Sequence, residues 1–131
     1  MSAISPHVLL LEDELTVRIL MVQTLNDLLD AQVTDFASAE DGIEYLKRQG
    51  ASVDLIITDV HMIGLLNGYD VAEFSLQQSP TTPVVITSGF DRTGREELPG
   101  NATFLAKPWD LKTLEATLRA VMERGPQDGG P

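Results

Sequence analysis

Residues 54–59 read Asp-Leu-Ile-Ile-Thr-Asp, an apolar run closed at each end by an acid. Leu55, Ile56 and Ile57 are consecutive, so the segment has no polar face. It reads as a strand, Asp54–Thr58, buried on both sides and followed by Asp59, the pattern of a parallel sheet held between two layers of helices. The same form recurs on either side of it. His7–Glu12 (HVLLLE) is a continuous apolar run ending in acids, Pro83 opens Val84–Ser88 (VVITS), and Ala102–Ala106 (ATFLA) follows a stretch broken by Gly94, Pro99 and Gly100. Ala31–Phe36 is a weaker strand.

Helical patterns fill the intervals. Leu15–Leu29 places Val17, Leu20, Met21, Thr24, Leu25 and Leu28 at helical spacing on one face. Ser38 is suited to cap a helix that runs to Gln49 and stops at Gly50. Another helix spans about Tyr69 to Gln78, and Asp110 caps a last one that ends near Arg124. The breakers between Ser88 and Asn101 leave room for only a short helix, around Thr93–Leu98. Strands alternating with helices predict an α/β, doubly wound, five-stranded parallel sheet with helices on both faces. Residues 1–124 form one domain, and Gly125–Pro131 a flexible tail with nothing to bury.

Composition narrows the function classes. The 131 residues are 43% hydrophobic and 22% charged, enough for a real core. A net charge of −11 repels nucleic acid and anionic membranes. Cysteine is absent, which excludes disulfides, thiolate metal sites and cysteine nucleophiles. No apolar run approaches the roughly 20 residues of a bilayer span, and Met1–His7 carries no export signal, so a cytoplasmic location is expected.

Parallel sheets of this kind bind ligands beyond the carboxyl ends of their strands. Glu12 and Asp13 follow the first strand, Asp59 the third, Thr87 and Ser88 end the fourth, and Lys107-Pro108 follows the fifth. Neighbouring strands lie roughly 4.8 Å apart, so these groups converge. Alone, each has an ordinary explanation as a turn residue, a cap or a strand-to-turn transition. Together they make an oxygen-only site whose carboxylates need compensation, from Lys107 and from a hard divalent cation such as Mg²⁺. A carboxylate facing a metal, a lysine and a hydroxyl is equipped to attack phosphorus.

The motifs LLLEDE with Arg18 downstream, LIITDVHM, PVVITSG and FLAKPWD make the chain similar, from His7 to about Arg124, to the CheY-like receiver domain of two-component response regulators. It resembles the stand-alone type, with no output domain. The resemblance implies the flavodoxin-like strand order 2-1-3-4-5. It implies that Asp59 accepts a phosphoryl group from a phosphohistidine, with Mg²⁺ held by Asp13, Asp59, the backbone carbonyl of His61 and, through water, Glu12. Lys107 pairs with a phosphoryl oxygen, Ser88 is the switch hydroxyl, and Phe104 is the aromatic that rotates inward. Thr87 packs or caps. The Lys107-Pro108 bond is expected to be cis. The expected partners are a histidine kinase or histidine phosphotransfer protein and a downstream protein target. The protein is expected to be a monomer or weak dimer and to catalyse only its own phosphotransfer and dephosphorylation.

This chain departs from the family pattern in three places. Ile63 replaces a common proline, and the loop from Asp59 to Gly68 is one residue longer than usual. The span from Ser88 to Lys107 is short. Phe104 has no hydroxyl, so an inward state rests on packing. In the first helix, Leu15, Ile19 and Val22 form a second apolar line on the face expected to meet solvent, a candidate surface for a partner helix or for self-association. A flavodoxin-like cofactor binder shares the fold, but Glu12-Asp13-Glu14 repels a bare phosphate. A metal-dependent phosphatase or topoisomerase-type enzyme wants a D-x-D pair, which is missing there. A receiver lookalike that binds its partner without phosphorylation would not need Asp13, Asp59, Ser88 and Lys107 together.

Overall fold

The computed structural model describes residues 5–89 and 98–124. In chain order the elements are β1 (His7–Leu11), α1 (Leu15–Leu29), β2 (Gln32–Phe36), α2 (Ala39–Gln49), a 3₁₀ turn (Gly50–Ser52), β3 (Leu55–Asp59), α3 (Gly68–Gln78), β4 (Val84–Ser88), β5 (Ala102–Ala106) and α4 (Leu111–Arg124). The five strands pair in parallel in the order β2-β1-β3-β4-β5, as expected. The tail 125–131 lies outside the described residues, and so does all of the expected short helix at 93–98 except Leu98, which is not helical.

Strand parity divides the core. Val8 and Leu10 of β1, Leu55 and Ile57 of β3, Val85 of β4 and Leu105 of β5 pack with Met21 and Leu25 of α1 and with Leu114, Leu118 and Val121 of α4. Leu9, Leu11, Ile56, Val84 and Ile86 point to the other side, onto Ala39 and Leu46 of α2 and Val71 and Ala72 of α3. This is the period-2 alternation of strands applied to residues that are apolar at both parities, so each face contributes a core. Each leucine or isoleucine so buried contributes about 1.5–3 kcal/mol.

The helix ends follow from short polar side chains. Ser38 Oγ accepts the N–H of Asp41 at 3.1 Å, and Asp110 Oδ1 that of Thr113 at 2.7 Å. That backbone N–H holds the Asp110 carboxyl below its ordinary value. Asn67 caps α3 in a reciprocal box: its Oδ1 accepts from Tyr69 and Asp70 at 2.9 and 3.2 Å, while Asp70 Oδ2 accepts the Asn67 N–H at 2.8 Å.

One expectation for α1 is corrected. Leu20, assigned to the core stripe, is 58% exposed, and Val22, assigned to the solvent line, packs against the α1/α4 core. At about 100° per residue, Val22 lies about 60° from the fully buried Leu25 and Leu20 about 140° from it. The buried arc is therefore centred near Leu25 and includes Val22. Leu15 and Ile19 are exposed as expected, at 57% and 52%.

Asn67→Ala removes the side-chain half of the α3 cap. Its expected cost is about 1 kcal/mol, read as a lower urea midpoint with an unchanged slope.

Candidate functional site

Register brings the functional groups together. Leu11 pairs with Thr58, so the residue that follows β1, Glu12, lies beside Asp59; Asp59 in turn pairs with Thr87. On β5 Leu105 pairs with Thr87, and the Lys107 N–H donates to the Ser88 carbonyl at 2.8 Å. Glu12, Asp59 and Lys107 continue the parity of Leu10, Ile57 and Leu105, the α1/α4 side. Their side chains consequently meet at the carboxyl edge of the sheet.

The Lys107 ammonium donates to Asp59 Oδ2 at 3.2 Å and to Glu12 Oε1 at 3.4 Å. Glu12, Asp13 and Asp59 each offer a carboxylate oxygen, all within 4.8 Å of one another. Glu12 is buried, Asp59 half-buried and Asp13 exposed. Burial is the main cause that pushes the Glu12 carboxyl above its ordinary value; the N–H of Glu14 opposes it, Asp59 adds to it, and Lys107 opposes it. Burial works to lower the Lys107 pKa, but Asp59 and Glu12 outweigh it and hold the ammonium above its ordinary value. The second oxygens of Asp59 and Glu12 accept from backbone: Asp59 Oδ1 from Val60 N–H at 2.8 Å and Glu12 Oε2 from Glu14 N–H at 3.1 Å. Arg18 bonds the Glu12 carbonyl at 2.8 Å and Asp35 at 3.0 Å, pinning the end of β1 to α1 and β2.

Ser88 and Thr87 are both buried. Ser88 shares the parity of Val84 and Ile86, and Phe104 packs among the same cluster, so these two lie on the α2/α3 side of the sheet. Thr87 has the opposite parity and lies beside Asp59 in register. His61 is exposed, and its imidazole is not part of the carboxylate group. The Lys107-Pro108 bond is cis, as expected.

The loop from β3 to α3 has a feature that the sequence reading missed. Gly68 N–H bonds the Val60 carbonyl at 2.9 Å, and a Cβ at Gly68 would collide with the Asp59 carbonyl oxygen. Midway along the loop, Glu40 Oε2, from the first turn of α2, accepts the N–H groups of Leu65 and Leu66 at 2.7 and 3.0 Å. The N–H groups of Glu40 itself, Leu66 and Leu65 hold this carboxyl below its ordinary value. Gly64 lies against it at φ 112°. An acid in a helix's first turn reads from sequence as a dipole partner, so nothing flagged its reach into this loop.

Beside Lys107 an open groove of about 550 Å³ is lined by Val17, Leu20, Gly89, Lys107, Pro108 and Trp109. The exposed Leu20 therefore belongs to a surface next to the site. No described helix is long and apolar enough to cross a membrane.

The response regulator receiver domain family matches residues 8–119. The chain is 34% identical over 108 residues to the transcriptional regulatory protein CpxR of Klebsiella pneumoniae, covering 79% of this chain and 45% of CpxR. It is 30% identical over 123 residues to the sensor kinase CckA of Brucella abortus, covering 92% of this chain and 13% of CckA. A response regulator receiver protein from Sinorhizobium medicae has the same fold, with a TM-score of 0.81, 26% identity and coverage of 93% of this chain and 98% of that one. The chain spans less than half the length of these two curated relatives.

The raised Glu12 pKa makes a signed prediction. The folded protein holds this proton more tightly than the unfolded chain, so ionising Glu12 costs stability as pH rises from 4.5 through its folded value. Glu12→Gln should accordingly be more stable than wild type at pH 7 without metal, and the gap should close at pH 4. Urea midpoints at the two pH values measure it; a gap that widens on acidification contradicts the assignment.

Proposed function

The chain belongs to the response regulator receiver family, and on that premise we propose that it takes a phosphoryl group from a phosphohistidine donor onto Asp59. The observation that carries this reading is the Lys107 ammonium held between Asp59 at 3.2 Å and Glu12 at 3.4 Å, with Asp13 completing the acidic set. That set fits Mg²⁺: every donor is a hard oxygen, and a single lysine leaves the three carboxylates under-neutralised. Asp13, Asp59, the His61 carbonyl and Glu12 would hold the ion. When bound, Mg²⁺ supplies positive charge against the oxygens of the transferring group.

The steps in the chain's own residues are these. A carboxylate oxygen of Asp59 attacks phosphorus, the phosphorus–nitrogen bond of the phosphohistidine breaks, and its electron pair leaves with the imidazole. An acyl phosphate results. Lys107 stabilises the charge on a phosphoryl oxygen. The Ser88 hydroxyl turns toward the phosphoryl group, and Phe104 fills the space behind it by packing alone. Attack by water then releases inorganic phosphate and restores the Asp59 carboxylate. The domain is a phosphoacceptor that works by protein binding or phosphorelay in the cytoplasm, rather than an enzyme turning over a diffusible substrate. Relatives include a sensor kinase, which supports a histidine kinase or phosphotransfer protein as donor. Leu15 and Ile19 of α1, with the groove along Val17, Leu20 and Trp109, are the surface on which a donor helix would rest.

Incubation with acetyl phosphate or phosphoramidate and Mg²⁺ should add one phosphoryl group by intact mass. It should be lost in Asp59→Asn and on chelation, and be cleaved by hydroxylamine. A label that persists in Asp59→Asn sinks the reading. Mg²⁺ should also raise the melting temperature, with a gain of about 2.7 kcal/mol at 100 times its dissociation constant.

Ile19→Glu should slow transfer from the protein donor by about tenfold or more, since losing one buried apolar side chain costs about 1.5–3 kcal/mol. Labelling by the small donor should be unchanged. An unaltered protein-donor rate removes Ile19 from the docking surface, and a dimer-to-monomer shift by sedimentation assigns it to self-association.

A further inference from the structure

The loop 60–67 leaves β3 at Asp59, carries His61, and enters α3 at Gly68. Val60 is buried and Met62 and Leu66 pack partly against the α2/α3 core, but the residues between them get little from burial. Ile63 and Leu65 are 69% and 97% exposed, so their side chains contribute almost nothing to the core. The loop's ends are tied by its own backbone, through Gly68 N–H to the Val60 carbonyl at 2.9 Å. Its backbone before α3 is also tied from outside, by Glu40 Oε2 accepting from Leu65 and Leu66 at 2.7 and 3.0 Å. Bonds to an ionised acceptor are roughly twice as strong as neutral ones. The approach depends on Gly64: a Cβ there would lie 2.6 Å from Glu40 Oε1, and its φ of 112° disfavours any other residue. Glu40 itself is rigidly based, in the first turn of a helix whose N-terminus Ser38 caps.

We propose that Glu40 is a positioning residue for the Mg²⁺ site, acting from α2 through the backbone of Leu65 and Leu66 to fix the loop that presents His61. The proposal rests on the functional reading above, in which the His61 carbonyl faces the metal. Glu40 touches neither metal nor phosphoryl group. It restricts the loop to one path, so that the carbonyl is in place before the ion arrives and the ordering is not paid at binding. Losing an outer partner of this kind weakens metal binding by about tenfold or more.

The test uses Glu40→Ala, Glu40→Gln and Gly64→Ala in the full chain. Mg²⁺ is titrated by the emission of Trp109, the one tryptophan, which lines the groove beside Lys107. Glu40→Ala is expected to raise the Mg²⁺ midpoint about tenfold and to slow labelling by phosphoramidate at low Mg²⁺ but not at saturation. Glu40→Gln, which keeps an acceptor oxygen, should recover most of the loss. Gly64→Ala breaks the same contact from the loop side, and the two alanine variants combined should be no worse than either alone. In the metal-free protein, amide exchange at Leu65 and Leu66 should quicken in Glu40→Ala. A merely structural role would lower the melting temperature and leave the Mg²⁺ midpoint where it was; that result, in variants of a wild type that binds Mg²⁺, overturns this proposal alone. A wild type that binds no Mg²⁺ overturns the functional reading and this proposal with it.

Discussion

One ammonium stands against three carboxylates at the carboxyl edge of the sheet. Lys107 crosses from the end of β5 to reach Asp59 and Glu12, and the acids it faces lie within 4.8 Å of one another. Like charges that close, one of them buried, raise the free energy of the fold unless something offsets them. Lys107 offsets part. The remainder is visible in Glu12, whose burial keeps its carboxyl reluctant to ionise. The site is thus under-neutralised by construction, and that residual negative charge is what would favour a divalent cation there.

The rest of the fold exists to hold that arrangement. β1 and β3 are neighbours at the centre of the sheet, which places Glu12 beside Asp59 without any long side-chain reach. Lys107 comes from two strands away, across β4, and a lysine is long enough to span that distance. The two faces then divide the labour. Glu12, Asp59 and Lys107 follow the parity of the α1/α4 core, while Ser88 and Phe104 follow that of the α2/α3 core.

The surroundings of the site are held by polar contacts as well as by apolar burial. Asn67 and Asp70 close the start of α3, Glu40 gathers the loop before it, and Arg18 ties the end of β1 to β2. Such contacts leave apolar side chains free to face outward. Leu15, Ile19, Leu20 and Leu65 are all more than half exposed.

The sequence by itself determined the strands, the helices and the chemistry of their ends. Runs such as Leu55-Ile56-Ile57 can be stable only between two apolar layers, and an acid, a hydroxyl or a lysine at the end of each such run has one crevice in which to meet. The helix caps at Ser38 and Asp110 were equally legible, because a cap is a local hydrogen bond between residues three apart. The tertiary structure decided what depends on direction. Leu20 and Val22 exchanged places between core and solvent because α1 docks with its buried arc centred on Leu25, an angle set by the sheet beneath it and absent from a helical wheel. Glu40 holds Leu65 and Leu66 across 25 and 26 positions of sequence, and neither side chain announces the contact, because the groups it captures are backbone N–H that every such residue possesses.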